Sequence, residues 1–301
     1  MDARPESDEA ILSVSDLRKS YGRVTALRGL DLDVPRGSFY GLFGRNGAGK
    51  TTTLDCVTGL AVRDRGRVLI LGEEIGLEPS PEAKQRLAYI AGHIQLFGWM
   101  TLTQHVDLVA SAYEAWDPER FAELCGVFPL PMDRRANTLT PGQHLQFQLL
   151  MALPRHPELL ILDEPGNLDP VVRARLMESM TDILRAEDTT IVMASHLLDE
   201  LDGVCDHMCI IEDGEALLEG PVTELTRDVR EIRLTRATRE PDLDGVWPIA
   251  TAGDEMTVVV RDFSDARAAQ IVAQTGDQIS NPRTVGLQDF FIALTAGRDQ
   301  E

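Results

Sequence analysis

The sequence lacks any long apolar run. Nowhere in its 301 residues do about 18 apolar residues follow one another, which is the length that a membrane-spanning helix needs. The first nine residues, MDARPESDE, also lack the basic start and the apolar stretch of a signal peptide. We therefore expect a soluble chain, or one whose contact with a membrane comes from a partner protein.

Basic residues are scarce relative to acidic ones. The 29 Lys and Arg side chains are outnumbered by 49 Asp and Glu side chains, which gives a formal net charge of −20 at pH 7. A surface with this charge repels a phosphate backbone over most of its area. We therefore expect no nucleic acid partner.

Cysteine is also sparse, and the four cysteines contain no CxxC pair. The spacing of four between Cys205 and Cys209 fits one helix face or one strand edge better than a zinc site. These observations favour reduced thiols and a cytoplasmic setting.

What is present is an alternation of short β-rich runs with helical periodicity. Hydrophobic residues make up 43% of the chain, enough for one large domain or for one large and one small domain. The alternation predicts an α/β fold with a largely parallel sheet. The predicted strands lie near 38–44, 67–72, 159–165, 189–196 and 207–214, and the predicted helices near 49–58, 103–115, 141–153, 170–186 and 197–203.

The pattern changes near residue 225. Beyond it come two weak strands, REIRLTRA and EMTVVVRD, and helical patterns near 263–274 and 286–296. We place a domain boundary here, with a main domain at 1–225 and a small α+β accessory domain at 226–301. The accessory domain contains no phosphate-binding, metal-binding or acid–base constellation, so we expect it not to be catalytic.

A glycine-rich loop predicts a phosphate-binding site. The stretch GLFGRNGAGKTTTL follows an apolar run and precedes a helical one, which is the context that this motif needs. Backbone N–H groups of the loop would wrap a phosphate at the positive end of the helix. Lys50 would reach the β- and γ-phosphates of a nucleoside triphosphate, and the Thr51 hydroxyl would bind Mg²⁺. The candidate nucleotide-binding residues of this loop are Gly44, Arg45, Asn46, Gly47, Ala48, Gly49, Lys50, Thr51 and Thr52.

Two further strands end in candidate catalytic residues. The run LLILDE ends in Asp163 and Glu164, and the chain turns there, so Asp163 can bind Mg²⁺ while Glu164 faces an attacking water. The run MASH brings His196 to the same edge of the sheet, where its ring could contact the γ-phosphate or the water. We predict Glu164, His196 and Lys50 as catalytic residues, and Thr51 and Asp163 as metal ligands.

These motifs stand in a recognisable order: the phosphate loop, LTPGQ, LLILDEP and ASHLLDE. Together they resemble the ATPase subunit of an ABC transporter over residues 10 to about 225. The stretches SAYEAWDPERF and VGLQDFFIALT resemble single-domain subunits of bacterial exporters. The resemblance implies a P-loop NTPase fold with an antiparallel β subdomain, a helical subdomain at about 92–155, and ATP hydrolysis coupled to transport.

The resemblance also implies partners. A second ATPase subunit, identical or different, would join this one head to tail around two ATP molecules, and a membrane permease would bind at the inner face of the cell membrane. Thr140, Gly142 and Gln143 of the signature segment, residues 140–143, would cover the partner's ATP. Tyr21 would stack on adenine, although a half-buried strand tyrosine also fits the sequence. The permease groove would involve Gly92 and the helix at 103–115.

Three departures from the family pattern affect these contacts. The signature reads LTPGQ where the family has LSGGQ, and Gly92 stands where the family has a glutamine that touches Mg²⁺. Gly92 is flanked by His93, and Gln95 lies three positions on. The spacing from Glu164 to Asp169 is also one residue shorter than usual. Communication across the dimer is therefore in question.

Pro141 changes the signature helix in two opposite ways. With Thr140 as the N-cap, Pro141 at the first helical position and Gln143 at the third, the segment predicts a capping box that reinforces the helix. Proline also removes one backbone N–H donor. Removing one donor to a developing oxyanion slows a reaction by roughly 10²–10³-fold, so we expect a slower ATPase. Alternatively, Pro141 only stiffens the helix.

Two other functions also fit parts of the sequence. A nucleotide-binding regulator with little hydrolysis would explain the altered signature, but the presence of Glu164 and His196 argues against it. An ABC-type ATPase of DNA repair or translation would usually have two ATPase domains or a basic surface, and this chain has neither.

Overall fold

The chain forms two compact units, Met1–Glu219 and Gly220–Glu301. The division falls six residues before the predicted boundary at 225, inside a strand at the end of the first unit. No helix in the described part of the chain is long and apolar enough to cross a bilayer. The computed structural model describes residues 10–164, 188–201, 203–235, 241, 243–252, 255–275 and 278–296.

The first unit alternates strands and helices. In chain order its described elements are β1 (Ala10–Tyr21), β2 (Val24–Pro35), β3 (Phe39–Phe43), α1 (Lys50–Thr58), β4 (Arg65–Ile70), β5 (Glu73–Glu74), α2 (Pro81–Arg86), β6 (Leu87–Ala91), α3 (Leu102–Ala112), α4 (Pro118–Val127), α5 (Pro141–Ala152), β7 (Leu159–Asp163), β8 (Thr190–Ser195), β9 (His207–Glu212) and β10 (Glu215–Pro221).

A six-stranded sheet forms the centre of this unit, in the order β10-β9-β3-β8-β7-β6. The five strands from β9 to β6 are parallel. Strands β7 (LLILD) and β8 (TIVMAS) are buried at every position, as expected for parallel strands covered on both faces. Parallel strands end at one edge, so β3, β7 and β8 deliver their following loops to the same place. The predicted α/β P-loop fold is confirmed.

A second, antiparallel sheet in the order β2-β1-β4-β5 packs its apolar residues into the same core. The two long strands β1 and β2 form a hairpin in which Tyr21 pairs with Val24. The apolar run predicted as a strand near 67–72 is β4, and it belongs to this sheet and not to the parallel one. The family resemblance had implied an antiparallel subdomain.

Three helices, α3, α4 and α5, lie between β6 and β7 in the sequence. Each begins with a side-chain cap: Thr101, Asp117 and Thr140 accept hydrogen bonds from backbone N–H groups of the first turn. The helix predicted at 103–115 ends earlier, at Ala112, because the Gln85 amide donates to the Ala112 carbonyl (3.2 Å) and Tyr113 is extended. These caps fix where each helix starts.

The second unit is a four-stranded antiparallel sheet with two longer helices. Its elements are α6 (Val222–Leu225), β11 (Arg230–Thr235), β12 (Val246–Ala252), β13 (Glu255–Val260), α7 (Asp265–Thr275), β14 (Gln278–Thr284) and α8 (Leu287–Ala296), and the strand order is β12-β13-β11-β14. It has its own apolar core, which includes Ile232, Val258 and Ile271. Strands β12 and β14 were not predicted; each contains a proline, and both lie at sheet edges, where proline is tolerated.

One predicted helix is wrong, and one lies outside the described residues. In the described residues of 197–203 the chain forms only the short 3-10 turn Leu198–Glu200. The Ser195 hydroxyl donates to the Glu200 carboxylate at 2.5 Å and accepts from Leu197 N–H at 3.0 Å, and these bonds favour a tight turn over a helix. The helix predicted at 170–186 and the loop residue Asp169 lie outside the described residues.

Candidate nucleotide site

The phosphate loop joins the end of β3 to the start of α1, and packing dictates its glycines. A Cβ added to Gly44 would collide with the Ile211 carbonyl, and one added to Gly49 would lie 2.9 Å from the Ala26 carbonyl. Gly47 and Gly49 have φ angles of 86° and 110°, a region that glycine enters without strain. The loop therefore needs glycine at these positions for close packing as well as for conformation.

Lys50 lies at the centre of the site. Its side chain is 3% exposed, and its ammonium group donates to the carbonyls of Gly44 (2.8 Å) and Arg45 (3.2 Å). The same ammonium lies 3.0 Å from Glu164 Oε1. A buried ammonium needs such partners because desolvation of a charge is costly. The structure thus joins two of the three predicted catalytic residues directly.

Asp163 has the features of a cation ligand. It ends β7, is 4% exposed, and is hydrogen-bonded to the Thr51 hydroxyl. Its Oδ1 is buried and has no hydrogen-bond partner among the described residues. Burial raises the pKa of this carboxyl, and the Thr51 hydroxyl opposes that rise. A hydroxyl beside an unpaired carboxylate oxygen is a donor set that suits Mg²⁺, so these two residues fit the predicted ion.

Glu164 and His196 follow β7 and β8 and come together at the shared edge. Glu164 has φ 41°, a left-handed conformation that is strained for a residue with a side chain. This reversal of direction leaves Asp163 buried while Glu164 is 35% exposed. His196 Nδ1 lies 3.5 Å from Glu164 Oε1. The chain turns between the two carboxylates, as predicted. Lys50 and His196, the other two predicted catalytic residues, both contact the carboxylate of Glu164.

Sequence reasoning missed a cluster behind Asp163. The Tyr89 hydroxyl, from β6, lies 3.4 Å from Asp163 Oδ2 and 3.2 Å from Asp55 Oδ1. His93 Nε2 lies 3.7 Å from the same oxygen of Asp55. Burial raises the pKa of Tyr89, so its hydroxyl stays protonated and can donate. Asp55 is four residues beyond Thr51 on α1, a spacing that places both on one helix face and could have revealed the cluster.

The signature segment forms the predicted capping box. Gln143 N–H donates to Thr140 Oγ1 (3.3 Å), Thr140 N–H donates to Gln143 Oε1 (3.1 Å), and Pro141 occupies the first helical position. The segment is exposed or half-buried. No hydrogen bond within the described part of the chain ties it to the phosphate loop. The structure therefore brings Lys50, Glu164, His196, Thr51 and Asp163 together but leaves Thr140, Gly142 and Gln143 outside that group.

Tyr21 and Gly92 are the two remaining predicted positions. Tyr21 ends β1 with half of its surface exposed, and the Lys19 ammonium lies 4.8 Å from its ring centroid. Gly92 begins the loop after β6, and a Cβ added there would meet nothing within 4 Å. A cavity of about 500 Å³ beside it is lined by Pro141, His144, Gln148 and Glu164, among others.

The fold and the site define a P-loop nucleotide-binding domain, and comparison with known proteins identifies its family. Residues 27–167 match the family model described as ABC transporter. The chain is 33% identical to the glycine betaine uptake system ATP-binding protein YehX of Escherichia coli, over 73% of this chain and 74% of the relative. It is 30% identical to the Nod factor export ATP-binding protein I of Cupriavidus metallidurans, over 96% of this chain and 98% of the relative.

A solved structure agrees with these relatives. The structure described as the ATP binding subunit of an ABC transporter has a TM-score of 0.66 and 29% identity, and it covers 72% of this chain and 92% of its own. The chain therefore belongs to the ATP-binding subunits of ABC transporters, which are ATPases coupled to transport.

Proposed function

We propose that this chain binds MgATP, hydrolyses it and powers an exporter. The observation that carries the proposal is the contact of Glu164 Oε1 with both Lys50 Nζ (3.0 Å) and His196 Nδ1 (3.5 Å), next to the Thr51–Asp163 pair. Export is favoured because the similarity to the Nod factor export protein covers 96% of this chain. The match to the glycine betaine uptake protein covers 73%.

Each residue of the site has a role in this proposal. The Lys50 ammonium binds the β- and γ-phosphate oxygens, and loop N–H groups from Gly44 to Thr52 wrap the phosphates. Glu164 accepts a proton from the attacking water, and His196 holds the water or the γ-phosphate in place. Thr51 and Asp163 would hold Mg²⁺, which neutralises phosphate charge when bound. Tyr21 stacks its exposed ring face on adenine.

The assembly proposed for this chain contains a second ATPase subunit and a membrane permease. Two cassettes sandwich two ATP molecules, and the signature segment of one covers the nucleotide of the other. The permease binds the loop after β6 and helix α3, where Phe97 and Trp99 are 55% and 70% exposed and Leu108 is 49% exposed. Exposed aromatic side chains of this kind mark protein contacts. The chain would thus lie peripherally on the inner face of the cell membrane.

The missing N–H of Pro141 slows each ATP site to which this chain contributes its signature segment, which in a homodimer means both sites. The helix start is otherwise intact, because Thr140 and Gln143 cap each other. The slower hydrolysis affects the ATP that this signature segment covers. The chain's own phosphate loop keeps every residue that its nucleotide needs. A regulator with little hydrolysis is the second candidate, and the contact between Glu164 and His196 favours hydrolysis over it.

Replacement of Glu164 by Gln tests the proposal. The variant should bind ATP normally, lose at least about 10²-fold in turnover, and form an ATP-dependent dimer on gel filtration. Asp199→Asn, near the same sheet edge but outside the proposed site, serves as the control. A Glu164→Gln variant that turns over ATP as fast as the unmodified chain would show that another group activates the water.

A further inference from the structure

A buried glutamine links the signature helix α5 to the central sheet. Gln148 is 7% exposed, and its carboxamide nitrogen lies 3.3 Å from the Ala91 carbonyl and 2.9 Å from His144 Nδ1. His144 is one turn earlier on the same helix, directly after the signature segment. The link therefore runs from the start of α5 through two side chains to the end of β6.

The hydrogen bonds of this link determine the tautomer of the His144 ring. Both hydrogens of the Gln148 amide nitrogen are directed to acceptors, so His144 Nδ1 must accept and its ring proton lies on Nε2. Burial lowers the pKa of His144, which agrees with a neutral ring. The Gln148 carboxamide is buried, and leaving such a group unpaired is costly. The Ala91 carbonyl also accepts from Ile94 N–H at 3.2 Å, so the two contacts mainly satisfy the glutamine.

The link lies beside Asp163 and Gly92. Ala91 pairs with Asp163 across the parallel strands β6 and β7. The link therefore reaches the sheet edge beside the predicted Mg²⁺ ligand. The next residue is Gly92, which has no side chain to contact α5, and the space around it is open. Gln148 and His144 both line the cavity that this opening leaves.

We propose that Gln148 and His144 are positioning residues that hold the start of α5 against the end of β6, in place of any side chain at Gly92. They set where Thr140–Gln143 is presented to the nucleotide of the partner subunit. This second statement rests on the proposed function, whereas the link itself does not.

The variants can separate this role from simple packing. Gln148→Met keeps the length and removes both donors, and His144→Leu removes the acceptor. His144→Asn is the conservative variant, because its amide oxygen can accept at the position of Nδ1. Gln146→Met makes the same change as Gln148→Met at a half-buried glutamine of the same helix, and so controls for the loss of a carboxamide from α5.

Hydrogen exchange of the full chain tests the link. Peptides covering residues 139–150 should exchange about three- to tenfold faster in Gln148→Met and in His144→Leu, the change expected when one hydrogen bond is lost. His144→Asn and Gln146→Met should exchange like the unmodified chain. Unchanged exchange in Gln148→Met, or equal loss in His144→Leu and His144→Asn, overturns the proposal.

Mixed dimers test the consequence for catalysis. One chain carries Lys50→Ala, and Gln148→Met is placed either on that chain or on its hydrolysing partner. Placed on the Lys50→Ala chain, the change should slow turnover about three- to tenfold with unaltered ATP affinity; placed on the partner, it should not. Equal slowing in both mixtures overturns the positioning role. If the mixture without Gln148→Met fails to hydrolyse ATP at all, the proposed function fails, and hydrogen exchange still decides the link.

Discussion

The ammonium of Lys50 lies 3.0 Å from Oε1 of Glu164. The lysine is buried and this carboxylate is its ion-pair partner among the described residues, so an arriving phosphate must compete for the same ammonium. Binding of the γ-phosphate would then release Glu164 toward the water that it activates. In the proposed mechanism, the arrival of the substrate and the availability of the base are therefore coupled through one ion pair.

Lys50→Ala should weaken ATP binding. Loss of a charge-assisted contact to phosphate corresponds to about 10–100-fold in affinity. Titration with a fluorescent ATP analogue measures the change. Lys84→Ala, which removes an exposed lysine paired with Glu78, is the control and should bind normally. Undiminished affinity in Lys50→Ala would remove the basis of the assigned nucleotide site.

The sheet edge that holds the candidate catalytic residues could be predicted from sequence, because each of these residues is adjacent to a recognisable strand. Asp163, Glu164 and His196 follow continuous apolar runs, and parallel strands must end together. The Tyr89–Asp55–His93 cluster and the Gln148–His144 link could not be predicted in the same way, since they depend on contacts between elements far apart in sequence. Edge strands β12 and β14 were missed because proline breaks their pattern.

Removal of residues 226–301 should leave ATP binding intact. A chain ending at Leu225 keeps all of β10, and the cores of the two units are built from separate residues. Circular dichroism would establish that the shortened chain folds, and the same nucleotide titration would measure affinity. A folded truncation that no longer binds ATP would show that residues 226–301 contribute to the site.

The stability of the protein should depend on pH through His144. Burial lowers the pKa of His144 below its ordinary value of 6.5. The unfolded chain then binds more protons than the folded chain as pH falls below about 6.5, so this residue costs stability at low pH and not at high pH. His144→Asn cannot titrate. In urea unfolding at about pH 7.5 and about pH 5.5, its stability relative to the unmodified chain should rise at the lower pH. An identical difference at both pH values would contradict the burial of a neutral ring.

Pro141→Gly should accelerate ATP turnover in the purified homodimer. The change restores a backbone N–H where, in the proposed dimer, the signature segment faces the partner's γ-phosphate, and one such donor is worth at most roughly 10²–10³-fold. Thr140 and Gln143 still cap the helix. Pro118→Gly is the matched control, because Pro118 also begins a helix behind a side-chain cap, at the start of α4; it should leave turnover unchanged.

Mixed dimers show on which ATP Pro141 acts. If Pro141 slows hydrolysis of the partner's ATP, Pro141→Gly on a Lys50→Ala chain accelerates hydrolysis of the ATP held by the partner, since that chain's signature segment covers the working site. Pro141→Gly on the hydrolysing chain alone then has no effect, because its signature segment covers the inactive site. Equal rates in the two mixtures, or a slower Pro141→Gly homodimer, would show that proline supports catalysis here by stiffening the start of α5 and that the lost donor is unimportant.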